Sequence, residues 1–401
     1  MNRRRLLIVG AGAAGRMVAD EVIAKPELGL ELVGFIDDSP ALANRKIGGR
    51  SVLGQRGDIA ALVDAHRIDL LLLALPSVSG DKIRQLVKIC AATPAEVRIV
   101  PGLREIIIGD VSWSQIRPIQ PEDLLGREAV ELEPDAAARS LRERRILVTG
   151  AGGSIGSELC RWAARSRADR IILLGHAENE LFELEEELNA EFPGVSTNCV
   201  IADIRDRARL DRVFLRHKPE FVFHAAAHKH VPMMEENPLE AIKTNIFGTA
   251  NVVAATKICE AERMVMLSTD KAVRPTNVMG ASKRVAEMLL QRAAAHWGEG
   301  GPRLSMVRFG NVLGSRGSVV PRFQRQIERG GPVTVSDPRA RRYFMTIREA
   351  ALLVVLAGSQ ARGGEVFVLD MGQQLSILEL AQQMIALAGR RVAIEITGKI
   401  V

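Results

Sequence analysis

Two copies of one local pattern constrain this chain more than anything else in it. Arg5-Leu6-Leu7-Ile8-Val9 runs into Gly10-Ala11-Gly12-Ala13-Ala14-Gly15. Arg145-Ile146-Leu147-Val148-Thr149 runs into Gly150-Ala151-Gly152-Gly153-Ser154-Ile155-Gly156. Each is a short apolar run, a glycine turn and then a helical pattern. The first glycine permits a tight strand-to-helix turn, the second lets a phosphate approach the backbone, and the third lets the helix pack on the strand. The helix start then offers unpaired N–H groups to an anion. A chain of 401 residues that begins this way twice is predicted to hold two doubly wound, Rossmann-like parallel-sheet α/β units.

In the first unit, Leu30–Asp37, Leu70–Leu75 and Arg98–Val100 read as further strands. The segment from Arg104 to Pro134, with Pro118 and Pro121, reads as a linker, and Ala136–Arg142 as a short helix that leads out of it. The second unit is predicted to place strands at Arg145–Thr149, Arg170–Leu174, Asn198–Ala202, Phe221–His224, Met264–Ser268 and Leu304–Arg308. Six parallel strands are what a full dinucleotide-binding sheet needs. Beyond Arg308 the pattern is mixed and rich in glycine. The expected division is residues 1–103, a linker over 104–143, and 144–401 with a small C-terminal substrate-binding lobe.

Composition narrows the function. Hydrophobic residues at 47% and charged residues at 25% exclude a disordered or collagenous chain. No apolar run approaches the roughly 18–20 residues of a membrane helix. Met1-Asn2-Arg3-Arg4-Arg5 leads directly into a strand, so no signal peptide and a cytoplasmic location are expected. Cys90, Cys160, Cys199 and Cys259 form no CxxC pair and are expected to be buried, reduced thiols. His224, His228 and His230 cluster without a Cys or carboxylate at ligand spacing, so no metal is expected. The net charge is +6, but aromatics are 4% and the arginines are scattered. An anionic small substrate, not nucleic acid, is the expected partner.

The spacing Thr149-Gly150-x-x-Gly153-x-x-Gly156 resembles the extended type of the short-chain dehydrogenase/reductase superfamily. Thr149, Gly150, Gly153, Ser154, Ile155 and Gly156 are expected to cradle a cofactor pyrophosphate. Gly175 stands where a ribose-binding acid is expected, and no arginine there meets a 2′-phosphate. The missing acid weakens any preference for NAD over NADP; NAD is the expected cofactor, with NADP left open. Asp203 and Ile204 are expected at the adenine, and Ala225, Ala226 and Ala227 along the nicotinamide side.

The superfamily's Tyr-x-x-x-Lys pair falls on Met279 and Lys283, and the chain's single tyrosine, Tyr343, has Ile347 four residues on. A thioether cannot exchange a proton, so other groups must do the acid/base work. Thr269, Asp270 and Lys271 are the candidates: they are three polar residues directly after a buried strand, where α/β enzymes keep their chemistry.

The run STDKAVRPTNVMGASKR, from Ser268 to Arg284, resembles the membrane-associated UDP-N-acetylglucosamine 4,6-dehydratases of polysaccharide biosynthesis, which carry Met in place of Tyr. His224–Thr249, Arg308–Phe323 and Gly330–Ala350 carry the same likeness. The resemblance implies oxidation at C4 of a UDP-N-acetylhexosamine, loss of water across C5 and C6, and return of hydride to C6 with the cofactor kept bound. Lys271 would remove the C5 proton, Asp270 protonate the leaving C6 hydroxyl and Thr269 bind the C4 oxygen. Lys283 would hold the nicotinamide ribose and Met279 supply shape. Lys229, Asn311, Arg316 and Arg342 would bind the substrate.

A homo-oligomer is expected, and membrane association only for a longer form with N-terminal helices. The family is also expected to continue past Val401 into a segment that meets the nucleotide. Gly34-Phe35-Ile36-Asp37-Asp38 makes the first unit resemble a nucleotide-binding linker domain, either a nucleotide sensor or a docking module. A nucleotide-sugar 4-epimerase and a non-catalytic cofactor-binding scaffold are the alternatives to the dehydratase.

Overall fold

The computed structural model describes residues 3–75, 78, 80–100, 113, 116–124 and 134–398. The chain divides into two compact units that do not follow chain order. One holds Met1–Val130, Arg322–Arg341 and Leu375–Gly398. The other holds Glu131–Pro321, Arg342–Gln374 and Lys399–Val401.

The first unit begins with β1 (Arg4–Val9), α1 (Ala13–Ala24), β2 (Leu30–Ile36), β3 (Lys46–Ile47), β4 (Arg50–Gly54) and α2 (Ile59–His66). It continues with β5 (Leu70–Leu73), α3 (Gly80–Cys90), β6 (Glu96–Ile99) and β7 (Arg117–Pro118). The sheet order is β3-β4-β2-β1-β5-β6-β7, with β3 and β7 antiparallel to their neighbours. Leu70–Leu73 is an unbroken apolar run because a central parallel strand is covered on both faces. The strand β7 lies inside the stretch expected as a linker, and Ile116 beside it joins the core of this sheet. Residues 104–112, 114–115 and 125–133 of that stretch lie outside the described residues.

The second unit opens with α4 (Pro134–Leu141), β8 (Arg145–Thr149), α5 (Ser154–Arg165), β9 (Arg170–Gly175), α6 (Glu178–Glu191), β10 (Ser196–Ile201) and α7 (Arg207–His217). Then follow β11 (Phe221–His224), α8 (Val231–Glu236), α9 (Pro238–Ala241), a π-helical segment (Ile242–Gly248), α10 (Thr249–Ile258), β12 (Arg263–Leu267), α11 (Val278–Trp297) and β13 (Arg303–Arg308). The last elements of the chain are β14 (Asn311–Val312), α12 (Val319–Glu328), β15 (Val333–Val335), β16 (Arg341–Met345), α13 (Ile347–Gln360), β17 (Val366–Val368), β18 (Gln374–Ser376), α14 (Ile377–Leu387) and β19 (Ile394–Ile396).

The second sheet runs β10-β9-β8-β11-β12-β13-β17 with every pairing parallel. Its first six strands follow the order of a dinucleotide-binding sheet, with the order reversing between β8 and β11. All six expected strands are present. The seventh, β17, was not expected: it is three residues long, half-covered at best, and ends on exposed Val368. Only its pairing with β13 makes it a strand.

Alternation along the strands divides the core. Val148, Leu173, Phe223 and Val265 face one layer, where α13 packs on α5. Leu147, Ile172, Val222 and Met264 face the other, where α10 packs on α7 and α11. Each such buried side chain contributes about 1.5–3 kcal/mol relative to exposure.

In the second unit β14 pairs with β16. In the first unit β15 pairs with β19, and α14 packs on α3. Among the described residues no helix is long and apolar enough to cross a membrane. Cys90 and Cys160 are buried as expected, whereas Cys199 on the edge strand β10 is exposed.

The glycine turns show why they recur. A methyl at Gly156 would sit 2.2 Å from the Gly150 carbonyl oxygen, and one at Gly15 would sit 2.0 Å from that of Gly10. Gly156→Ala should therefore destabilise the second unit by about 1–3 kcal/mol in urea unfolding. Gly194→Ala, where a methyl meets nothing within 4 Å, should change stability little. Equal unfolding midpoints for the two variants would refute the close-packing argument.

Candidate active site

The carboxyl ends of β8 and β11 flank the point where the strand order reverses, and those of β12 and β13 follow along the same edge of the sheet. Gly150 turns the chain with φ +67°, and Gly153 starts α5 with no side-chain cap. The first amides of α5 are thus open to an anion. Gly153 donates to the Gly150 carbonyl over 2.9 Å, which fixes the turn. The loop after β11 packs directly on this turn: Ala225 N–H donates to Thr149 O at 3.1 Å and Ala226 N–H to Thr149 Oγ1 at 3.3 Å. The cradle formed by Thr149, Gly150, Gly153, Ser154, Ile155 and Gly156 fits a dinucleotide pyrophosphate by its glycine-only approach and uncapped helix start.

The other expected cofactor contacts are arranged less simply. The Asp203 carboxylate is gripped by the Arg205 guanidinium at 2.6 Å and by the Arg205 backbone N–H at 2.8 Å. Those hydrogen bonds, outweighing partial burial, hold it below the usual carboxylate range. Ile204 is buried, and its carbonyl accepts from Asn251 Nδ2 at 3.0 Å.

Arg316 stands over the glycine turn. Its backbone N–H donates to Ser154 Oγ at 3.0 Å and its side chain pairs with Glu180 at 3.2 Å. Asn311 lies in β14, paired with Phe344 of β16, and Arg342 lies exposed on β16. Lys229, in the loop after β11, has its ammonium pKa lowered by desolvation.

The polar triplet follows β12 as a single 3₁₀ turn over Asp270–Ala272, with Thr269 as its N-cap. Thr269 Oγ1 donates to Asp270 Oδ1 at 2.9 Å, and Lys271 Nζ donates to the same oxygen at 3.1 Å. Hydroxyl, carboxylate and amine therefore form one connected proton-bearing group. The two charged side chains remain 50% and 35% exposed, so they are reachable by a ligand.

The first turn of α11 lies against this triplet. A methyl at Gly280 would come within 2.3 Å of the Lys271 carbonyl oxygen. On the same helix, Met279 is buried with Met234 and Ala241, ringed by Val231 and Val278. Lys283 is 5% exposed, and burial lowers its ammonium to about 8 while Glu287 works in the opposite sense.

A buried polar chain joins the glycine turn to α11. Thr149 Oγ1 lies 2.7 Å from His224 Nδ1, and His224 Nε2 lies 2.9 Å from Thr249 Oγ1. Thr249 Oγ1 donates to Asn245 O at 2.7 Å, and Asn245 Nδ2 donates to Ser282 Oγ at 2.9 Å. Proton counting fixes the tautomer. The Thr249 hydroxyl spends its hydrogen on a carbonyl, so His224 Nε2 must donate to it. Nδ1 then accepts from Thr149, which accepts from Ala226 N–H.

His224 is therefore neutral, and burial, aided by nearby Lys283, lowers its pKa to about 3. Asn245 sits in the π-helical segment and also exchanges two hydrogen bonds with the His228 backbone. Sequence reasoning missed this chain. Its only signal was polar residues in otherwise apolar segments.

The sheet order, the glycine turn and the polar triplet define a Rossmann-like α/β unit with a cluster of charged and hydroxyl groups at the carboxyl edge of its sheet. The chain belongs to the polysaccharide biosynthesis protein family, whose pattern matches residues 146–401. Residues 1–101 match a CoA-binding domain.

The chain is 44% identical over 398 residues to a probable polysaccharide biosynthesis protein, EpsC, of Bacillus subtilis, covering 98% of this chain and 66% of that one. It is 37% identical over 230 residues to an inverting UDP-N-acetylglucosamine 4,6-dehydratase of Campylobacter jejuni, covering 56% and 66%. Among solved structures, a UDP-glucose 4-epimerase of Stenotrophomonas maltophila with bound NAD superposes with TM-score 0.58 at 23% identity, covering 64% of this chain and 87% of that one. That likeness shows the fold. The chain spans about two thirds of the length of the curated relatives it matches.

The neutral histidine has a pH signature. Its folded pKa of about 3 lies below the ordinary 6.5. Between those values the unfolded chain binds a proton that the folded chain refuses, so stability must fall as pH drops through that window. The loss from this group should approach about 1.4 kcal/mol per pH unit. Urea unfolding of the wild type and His224→Gln should show a shallower pH dependence in the variant. Equal slopes would refute the assignment.

Proposed function

We propose that this chain is an NDP-sugar 4,6-dehydratase. It takes a UDP-N-acetylhexosamine, in the first instance UDP-N-acetylglucosamine, to its 4-keto-6-deoxy product. The observation that carries the reading is the Thr269–Asp270–Lys271 group, with its 3.1 Å amine–carboxylate contact, set beside a helix whose base position is a buried methionine. A 4-epimerase oxidises the same C4 and needs no acid/base pair for C5 and C6. The phenol usual there is replaced by Met279, and the pair is present.

A bound nicotinamide dinucleotide, NAD on the present reading, would supply reversible hydride chemistry at C4 and C6. The chain's own groups do the rest. Thr149 to Gly156 seat the pyrophosphate. Lys283 reaches the ribose and places positive charge near the C4 oxygen. The Thr269 hydroxyl bonds that oxygen and is already linked to Asp270.

A sugar seated over the triplet excludes the water that favours an ion pair. With that water gone Lys271 gives up its proton to solvent and stands as a neutral amine, and as C4 is oxidised the C4 hydroxyl proton passes through Thr269 to Asp270 Oδ1, which makes Asp270 the carboxylic acid. Lys271 takes the C5 proton as Asp270 gives its proton to the departing C6 hydroxyl. Lys271 returns its proton to C5 as hydride reaches C6, so the pair ends the turnover as neutral amine and carboxylate, as it began it. A second copy of the chain is part of the same proposal, since Leu239 on α9, Phe247 in the π-helical segment and Met288 on α11 are exposed apolar residues on packed neighbours.

Incubation with UDP-N-acetylglucosamine and cofactor should yield a product lighter by one water in mass spectrometry. Asp270→Asn and Lys271→Ala should each lower the rate by at least about 100-fold, in the range of lost general acid–base catalysis, while dinucleotide binding survives. Full turnover in both variants would overturn the assignment.

A further inference from the structure

Glu287 is a charged residue with no exposed surface, and no step of the chemistry above uses it. It lies two turns beyond Met279 and one beyond Lys283, on the same face of α11. Its two carboxylate oxygens are saturated. Oε1 accepts from Ser268 Oγ at 2.7 Å and from Arg308 Nε at 2.7 Å. Oε2 accepts from Arg308 Nη2 at 2.5 Å and from Arg284 Nη1 at 3.0 Å. Burial pushes its pKa up, but the bonds from Arg308, Ser268 and Arg284 outweigh that and keep it an anion.

The donors are placed with regard to the triplet. Ser268 is the residue immediately before Thr269, and its N–H donates to Val307 O at 2.7 Å. Asp270 N–H donates to Phe309 O at 3.1 Å. Arg308 is the residue between those two carbonyls. The backbone that presents the triplet is thus tied to β13 on either side of Arg308, and Glu287 holds both Ser268 and Arg308 from the helix that carries Lys283. One carboxylate closes a frame of three elements: the end of β12, the end of β13 and α11. A fork-shaped guanidinium meeting a carboxylate on both oxygens fixes direction as well as distance.

We propose that Glu287 is a positioning residue that holds the Thr269–Lys271 triplet and Lys283 in one fixed arrangement. The catalytic consequence rests on the dehydratase reading, whereas the geometric one does not. A carboxylate that served only as glue between Arg308 and the helix would stabilise the fold without caring about Ser268. A positioning role makes the Ser268 bond matter to turnover even where it does not matter to folding.

The test uses the intact chain and two variants. Ser268→Ala removes the link to the triplet and leaves the Arg308 pair in place. Glu287→Gln keeps the shape and removes the charge. For each, kcat and KM with UDP-N-acetylglucosamine, the unfolding midpoint, and hydrogen exchange of the backbone across Thr269–Ala272 and Thr149–Gly156 are measured.

Ser268→Ala should lower kcat about tenfold and Glu287→Gln about a hundredfold. KM should change less than about threefold, and kcat should fall by more than any loss of folded protein explains. Exchange should quicken at Thr269–Ala272 in both variants and stay as in the wild type at Thr149–Gly156. Unchanged exchange at the triplet in both variants overturns the positioning role whatever the substrate is. Quickened exchange together with a wild type that releases no water from the sugar supports the positioning role and overturns only the dehydratase reading.

Discussion

The contact on which the second unit depends spans the place where its strand order reverses. Helices after β8 and after β11 leave toward opposite faces of the sheet, which opens a crevice at the carboxyl ends of those two strands. Thr149 ends β8 and His224 ends β11. They are paired in register and joined by a 2.7 Å side-chain bond. That bond lies at the base of the crevice, below the glycine turn on one side and the Ala225–Ala227 loop on the other. A histidine fits there because one ring nitrogen accepts from Thr149 while the other donates to Thr249. The ring must stay neutral to do both.

From that base, order spreads outward in two directions. Through Thr249, Asn245 and Ser282 the polar chain reaches the first turns of α11. Through the register of β11, β12 and β13 it reaches the triplet. The two routes meet where Gly280 touches the Lys271 backbone and where Glu287 grips Ser268. The glycine turn and the polar triplet, 120 residues apart in sequence, are thereby held on one edge of the sheet. Preorganisation of this kind suits a reaction that needs hydride, proton and leaving group handled in one place.

Methionine at position 279 has a physical consequence. A tyrosine at that position would need a partner for its hydroxyl, whereas the thioether is content among Met234, Ala241 and the two valines. The amine and carboxylate that the proposed reaction uses for proton transfer lie instead in the half-exposed triplet. Burial meanwhile acts on Lys283, which stays inside the helix packing and loses basicity to about 8.

Much of this was legible in the residues alone. Two strand–glycine–helix starts dictated two doubly wound sheets, because glycine is the residue that permits a helix to approach its own preceding turn so closely. The six main strands of the second sheet were readable as apolar runs, since parallel strands are covered on both faces. The triplet was readable as polar residues where core was due. The tertiary structure alone decided that β17 is a strand, that Ile116 belongs to the first sheet, and that Arg316 reaches back to Ser154. It alone brought His224, Asn245 and Glu287 to their partners. Those outcomes depend on contacts between residues far apart in the chain, and neither periodicity nor local propensity carries information about a partner that arrives only when the sheet closes.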